Sequence, residues 1–203
     1  MISGILLSAG LSSRFGSPKA LAVLNGIRVI EHIQNTLNHS LVSEVVIVLG
    51  SHANEIQPFV LKHKKVKYVY NKNYNLGQTS SFKIGLENIS NNALGVMLLP
   101  VDYPLIKFKT INLLLDYFLI HKPSVLIPTY QNKKGHPPIF GSHLTKIFLN
   151  MDNSVGLNVL MKQINLQSTL LPVNDNGVLL TFNTLDEFAS LKKIYHETKK
   201  LSS

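Results

Sequence analysis

The chain has no cysteine among its 203 residues. That absence removes disulfides, thiolate metal sites and cysteine nucleophiles, and it leaves the redox compartment open. Arginine is nearly missing as well: Arg14 and Arg28 are the only two, so the formal net charge of +9 rests on lysine. The lysines are spread along the chain without a dense block, a balance that suits anionic ligands such as nucleotides and phosphates. A nucleic-acid-binding domain would need clustered basic residues or an aromatic platform, and neither is present. No hydrophobic run reaches membrane length, and the short apolar stretch at the start follows no basic leader, so we expect a buried first strand in a cytoplasmic protein with no membrane partner. What the chain does contain is 45% hydrophobic and 15% charged residues. That content and length suit one globular domain spanning residues 1–203.

Short β-rich runs recur at 4–7, 44–49, 66–70, 96–99 and 124–127, several of them apolar without polar alternation, as expected of strands covered on both faces. Between them, 29–38, 53–63, 80–89 and 110–121 carry apolar residues at helical spacing. Strand then helix, repeated, predicts an α/β fold: a single Rossmann-like domain with a mostly parallel sheet flanked by helices. The stretch 130–139 holds Gly135, His136, Pro137 and Pro138 and is expected to be irregular or at a sheet edge. A helix is expected at 155–163, strands at 168–173 and 178–182, and a closing helix at 185–199.

The most informative segment runs Leu7-Ser-Ala-Gly-Leu-Ser-Ser-Arg-Phe-Gly-Ser-Pro-Lys19, a small-residue loop directly after the first strand. Ligands of open α/β sheets bind beyond the carboxyl ends of strands, where small residues let backbone N–H groups approach phosphate oxygens. Its spacing is neither G-x-x-x-x-G-K-[ST] nor G-x-G-x-x-G. An ordinary βα turn with incidental glycine and serine is the alternative.

Four further places draw attention. Asp102 follows the apolar run 96–99 and could hold Mg²⁺ against phosphate oxygens, or simply start a turn before Pro104. The polar loop from Tyr70 to Ser81 ends where a helix begins, with Thr79, Ser80 or Ser81 able to cap it and amides available to a ligand. His136, between Gly135 and Pro137, sits on constrained backbone; a solvated turn histidine would look the same. Near the end, Thr184 could merely cap the last helix, with Asp186 and Glu187 in its first turn.

Taken together these segments resemble the molybdenum-cofactor cytidylyltransferases and the wider MobA-like NTP transferase family. The first loop resembles the signature L-x-A-G-x-S-x-R-x-G-x-x-K. The resemblance implies that Leu7, Ser8, Ala9, Gly10, Ser12, Ser13 and Gly16 wrap a nucleoside triphosphate, with Arg14 and Lys19 on its phosphates. Ser8-Ala9-Gly10 is closer to the A-A-G version of the cytidylyltransferases than to the A-G-G version of the guanylyltransferases, which points to CTP. The resemblance further implies Asn71, Gly77 and Ser81 at the nucleotide, Asp102 as a metal ligand in a D-x-P motif, and His136 of a G-H-P motif facing the second substrate. The stretch from Leu180 to Phe188 resembles D-I-D-T-P-x-D, with departures: Thr181 and Asn183 stand where aspartate is common, and Leu185 replaces proline. Asn183 would then be the second Mg²⁺ ligand through a neutral oxygen, which holds the cation less strongly.

The implied reaction is transfer of CMP from CTP to the phosphate of a molybdenum-loaded molybdopterin, giving a cytosine dinucleotide cofactor and pyrophosphate, with delivery to a client molybdoenzyme. Catalysis would rest on Arg14, Lys19 and Asp102. The competing readings are use of GTP, an acceptor such as a sugar phosphate or methylerythritol phosphate, and a carrier that holds cofactor or nucleotide without turnover.

Overall fold

The computed structural model describes residues 1–163 and 166–200. The chain opens with β1 (Ile2–Ser8), all seven residues buried. A two-stranded ribbon of β2 (Val23–Leu24) and β3 (Ile27–Arg28) leads into α1 (Val29–His39). In α1 the residues Val29, Ile30, Ile33, Gln34 and Leu37 form the buried stripe, the i, i+4 spacing of a helix laid on a sheet. Next come β4 (Glu44–Leu49), the short α2 (Ala53–Ile56), β5 (Val66–Tyr70), α3 (Gln78–Glu87), β6 (Gly95–Pro100) and α4 (Phe108–His121). The last third holds β7 (Val125–Tyr130), β8 (Lys133–Lys134), β9 (Ile139–Gly141), α5 (Thr145–Asn150), α6 (Leu157–Gln163), β10 (Thr169–Pro172) and α7 (Leu185–Lys200).

The sheet has eight strands in the order β10-β7-β9-β6-β1-β4-β5, with β8 hairpinned onto β7. β1 is central and pairs in parallel with β4 and β6. One core cluster includes Leu6, Ile47, Met97 and Leu115; the other includes Ile5, Val46, Phe82 and Leu98. The alternating residues of the central strands therefore serve opposite faces, as parallel strands covered on both sides must. The expected mostly parallel α/β sheet is the one observed. Among the described residues, no helix is long and apolar enough to cross a membrane.

Three expectations need correction. The helix read at 53–63 stops at Ile56 and tightens into a 3-10 turn over Gln57–Phe59. Pro58 has no N–H to donate to Asn54 O, so the α-helical ladder stops there even though Gln57 keeps helical φ and ψ of −50° and −39°. The stretch 130–139 is not simply irregular or at an edge. Gln131 and Asn132 take left-handed φ values of 48° and 62° in a tight turn to β8. Immediately after it β9 inserts antiparallel between β6 and β7. The strand read at 178–182 does not form. Asp175, 2% exposed, accepts from Gly177 N at 3.0 Å, Lys107 N at 2.9 Å and Thr110 Oγ1 at 2.7 Å. That carboxylate ties a 3-10 turn over Asn176–Val178 to the start of α4, where the helix dipole also favours it. The helix α5 has no counterpart among the expectations.

Candidate functional site

Parallel register brings the carboxyl ends of three strands level: Ser8 lies opposite Leu49, and Leu7 opposite Pro100. The loop after β1 leaves this edge and is shaped by two left-handed residues, Ser12 at φ 52° and Gly16 at φ 80°. Ser12 O accepts from Phe15 N at 2.9 Å and from Gly16 N at 3.0 Å. The loop is anchored from inside by Phe15, whose buried ring meets Phe182 edge-on at 5.3 Å and Phe188 at 5.6 Å. This aromatic anchor connects the loop to the far end of the chain, because the residue after Phe182 is Asn183.

Four polar side chains converge there. Lys19 Nζ donates to Asp102 Oδ2 at 3.2 Å and to Asn183 Oδ1 at 2.9 Å, and it lies 5.6 Å from the centre of the Phe182 ring. Arg14 Nη2 donates to the same Asn183 oxygen at 3.4 Å. The side chains of Lys19 and Asp102 are only 14% and 19% exposed, so their attraction acts in a medium less screening than water. Asp102 is brought there because Val101 N donates to Leu7 O at 3.0 Å, carrying the β6 pairing one residue past the strand. Asn183 is fixed by its own N–H, which donates to Glu187 Oε2 at 2.5 Å, while Glu187 N donates to Thr184 Oγ1 at 3.2 Å. Thr184 thus caps α7, and the same cap orients Asn183 toward Lys19.

These groups border a cleft of about 380 Å³ whose wall includes Leu7, Ser8, Ala9, Gly10, Ser12, Ser13, Arg14, Lys19, Gly77, Ser81, Asp102 and Asn183. Gly16 and Asn71, read from the sequence as nucleotide-binding, are not among its lining residues. Gly16 shapes the loop. Asn71, 2% exposed, donates to Ser80 Oγ at 2.9 Å and Ser81 Oγ at 3.0 Å and accepts from Asn73 N at 2.9 Å. It therefore joins the end of β5 to the start of α3 and sets the position of Ser81. The capping expected of Thr79, Ser80 or Ser81 is absent: Gly77, at φ 96°, precedes α3 without a side-chain cap. His52, Tyr74 and Gln78 also line this cleft; His52 follows β4, Tyr74 lies in the turn between β5 and α3, and Gln78 opens α3.

A second and larger cleft, about 1540 Å³, adjoins the first and shares Gly77, Gln78, Pro100 and Asp102 with it. His136 lines this one. Its ring lies 4.4 Å from that of Tyr103, and the His136–Pro137 peptide is cis. Burial pushes the His136 imidazole below its ordinary 6.5, against the opposing influence of the Asp102 charge and the Leu98 backbone, so the ring is neutral at pH 7. Burial and the Asp102 charge raise the Tyr103 phenol, while a hydrogen bond with Thr181 acts the other way. Thr181 thus holds Tyr103 on the wall of the second cleft.

Among the described residues no group of three or more His, Asp or Glu side chains is placed to hold a metal. What the site offers is one carboxylate and one amide oxygen, Asp102 and Asn183, already gathered around a single cation, the Lys19 ammonium. Hard oxygen donors of that number suit Mg²⁺, which is commonly held by one or two protein oxygens together with substrate phosphates.

Comparison with known proteins agrees with this architecture. Residues 4–169 match the MobA-like NTP transferase domain family. A "probable molybdenum cofactor guanylyltransferase" of Bacillus cereus (strain AH187) is 32% identical over 114 residues, 56% of this chain, so this chain covers only 55% of that relative's length. A protein of the same name from Bacillus anthracis (strain CDC 684 / NRRL 3495) is 26% identical over 170 residues, 81% of this chain and 82% of that one. A nucleotidyl transferase from Methanothermobacter thermautotroptrophicus has the same fold, with a TM-score of 0.82 at 20% identity over 98% of this chain and 99% of its own.

Proposed function

The chain belongs to the MobA-like NTP transferase family, and from that premise we propose that it transfers a nucleoside monophosphate from a nucleoside triphosphate to the phosphate of a molybdopterin-type acceptor. The observation that carries the reading is the convergence of Arg14, Lys19, Asp102 and Asn183 on one cleft beyond the carboxyl ends of β1 and β6. An acceptor phosphate oxygen attacks the α-phosphorus. The bond from that phosphorus to the bridging oxygen breaks, and pyrophosphate leaves with the electron pair.

Arg14 and Lys19 neutralise the triphosphate and the charge that develops on the leaving pyrophosphate. The loop from Ala9 to Lys19 holds the phosphates in line, so positioning supplies much of the acceleration and no protein nucleophile is needed. Mg²⁺ held by Asp102 and Asn183 would supply further charge neutralisation at the attacked phosphate. The second cleft, meeting the first at Asp102, suits the acceptor, with the neutral His136 as a hydrogen-bonding group on that side.

For the nucleotide, Ser8-Ala9-Gly10 favours CTP, and the product is then a cytosine dinucleotide cofactor for a client molybdoenzyme. GTP is the second reading, favoured by the names of the Bacillus relatives. The test is pyrophosphate release by purified protein with molybdate-loaded molybdopterin and Mg²⁺, comparing CTP, GTP, ATP and UTP. Turnover with CTP at least tenfold faster than with GTP is expected. The reverse preference would assign a guanylyltransferase. Tight nucleotide binding without pyrophosphate would leave a carrier, and turnover with a sugar phosphate or methylerythritol phosphate instead would replace the acceptor.

A further inference from the structure

Buried side-chain polar atoms in folded proteins are nearly always paired, so each one left alone calls for an explanation. Among the described residues three are unpaired: Ser8 Oγ, His136 Nδ1 and Asn153 Oδ1. Ser8 lines the first cleft, and His136 and Asn153 both line the second. All three therefore stand on cleft walls, where a bound molecule can complete them. Ser8 and His136 fall within motifs already discussed; Asn153 falls in none.

Asn153 lies between α5 and α6 on a segment fastened to α3 on either side. Lys83 Nζ donates to Met151 O, and Thr79 Oγ1 donates to Val155 O at 2.9 Å. Between these anchors Asp152 Oδ1 accepts from both Ser154 N and Ser154 Oγ at 2.7 Å. The amide of Asn153 is thus carried on backbone fixed from both ends, the condition for reading a ligand rather than adapting to it. Its surroundings in the cleft are mixed in a particular way. Tyr103 gives a flat aromatic face with Leu157, Met161 and Leu166 as half-buried apolar neighbours, while Lys134 and Lys162 bring positive charge. That combination fits a planar fused ring bearing an anionic tail better than a sugar, whose hydroxyls point in every direction.

Resting on the reading of the second cleft as the acceptor site, we propose that Asn153 is a specificity-determining residue, its amide oxygen accepting a hydrogen bond from an N–H on the ring edge of a fused heteroaromatic acceptor. An acceptor lacking that donor leaves the buried oxygen unpaired and binds more weakly for it, the usual source of strong discrimination by polar groups.

The experiment is calorimetric titration of the purified chain with a pterin carrying a phosphorylated side chain at C6, with glucose 1-phosphate, and separately with CTP and GTP. Wild type should bind the pterin more tightly than the sugar phosphate. Asn153→Ala should weaken the pterin about tenfold, the size of one lost buried hydrogen bond, and leave nucleotide affinity unchanged. Asn153→Asp keeps an acceptor oxygen in place and should restore most of the loss. Equal pterin affinity in wild type and Asn153→Ala overturns the assignment, as does an equal loss in both variants. A fall in nucleotide affinity alongside would make Asn153 a structural prop of the α3 wall, which also overturns it. Nucleotide binding without any pterin binding by wild type would remove the role of Asn153 while leaving transfer to another acceptor standing; absence of nucleotide binding would instead refute the reading of the first cleft.

Discussion

The ammonium of Lys19 is enclosed by the Asp102 carboxylate, the Asn183 amide oxygen and the Phe182 ring. A divalent cation and this ammonium compete for the same two oxygens, so the protein alone already carries a cation where the metal would be held. On the proposed function, a triphosphate would offer Lys19 other partners, and its arrival would free both oxygens together. Lys19→Met, which keeps the chain length and removes the charge, should therefore bind Mn²⁺ without nucleotide, whereas wild type should require nucleotide first; electron paramagnetic resonance of free Mn²⁺ reads this directly. The same substitution should lower turnover by about 10² to 10³, the scale of losing one preorganised charge contact at a transition state. Identical Mn²⁺ binding in the two proteins would mean that Asp102 and Asn183 do not serve a metal. The places of the loop, directly after β1, and of Asp102, just past β6, were legible in the sequence because each follows an apolar strand. Lys19 lying between two acceptors, and Phe15 anchoring the loop from below, depend on packing across more than 160 residues of sequence, which no local pattern records.

Elements were legible where one physical rule acted alone. β4 and β5 fall at the residues expected from their β-rich runs. Expectations failed where a second rule intervened: Pro58 shortening α2, and the Asp175 carboxylate tying Asn176 to Val178 into a 3-10 turn just where a strand was expected to start at Val178. β9 was missed because three residues after two prolines carry too little periodicity, although Ile139 pairs with both Met97 and Leu126. One junction between elements has a sharp requirement. A Cβ on Gly50, just past β4, would lie 2.5 Å from Ala9 O and 2.8 Å from the Tyr74 Cβ. Ala9 O is also the acceptor of Ser51 N at 3.1 Å, so neither side can give way without disturbing the start of the loop after β1. Gly50→Ala should cost about 1–3 kcal/mol of stability, as overpacking of a close contact does. It should also weaken nucleotide affinity. Denaturant unfolding together with a CTP titration checks both, and a variant as stable and as tight as wild type would show that the loop is looser than its packing implies.

At the scale of the whole molecule, two clefts open side by side on one sheet and share Asp102, Pro100, Gly77 and Gln78. The chain has no cysteine, the neutral His136 lines only the second cleft, and His52 on the first has both ring nitrogens engaged, with Glu55 Oε1 at 2.8 Å and Leu11 O at 3.4 Å. The side chains gathered where the clefts meet, Arg14, Lys19, Asp102 and Asn183, are suited to neutralising and orienting phosphates rather than to carrying a nucleotidyl group. Under the proposed reaction, direct transfer between substrates bound together would follow, and it predicts sequential rather than ping-pong kinetics. Exchange of labelled pyrophosphate into the nucleoside triphosphate tests this without relying on steady-state patterns. If transfer is direct, exchange should require the acceptor, because only the dinucleotide product can return the nucleotidyl group to pyrophosphate. Exchange in the absence of acceptor would require a covalent nucleotidyl-protein intermediate, and the joint use of Asp102 by both clefts would then serve some purpose other than bringing two substrates into line.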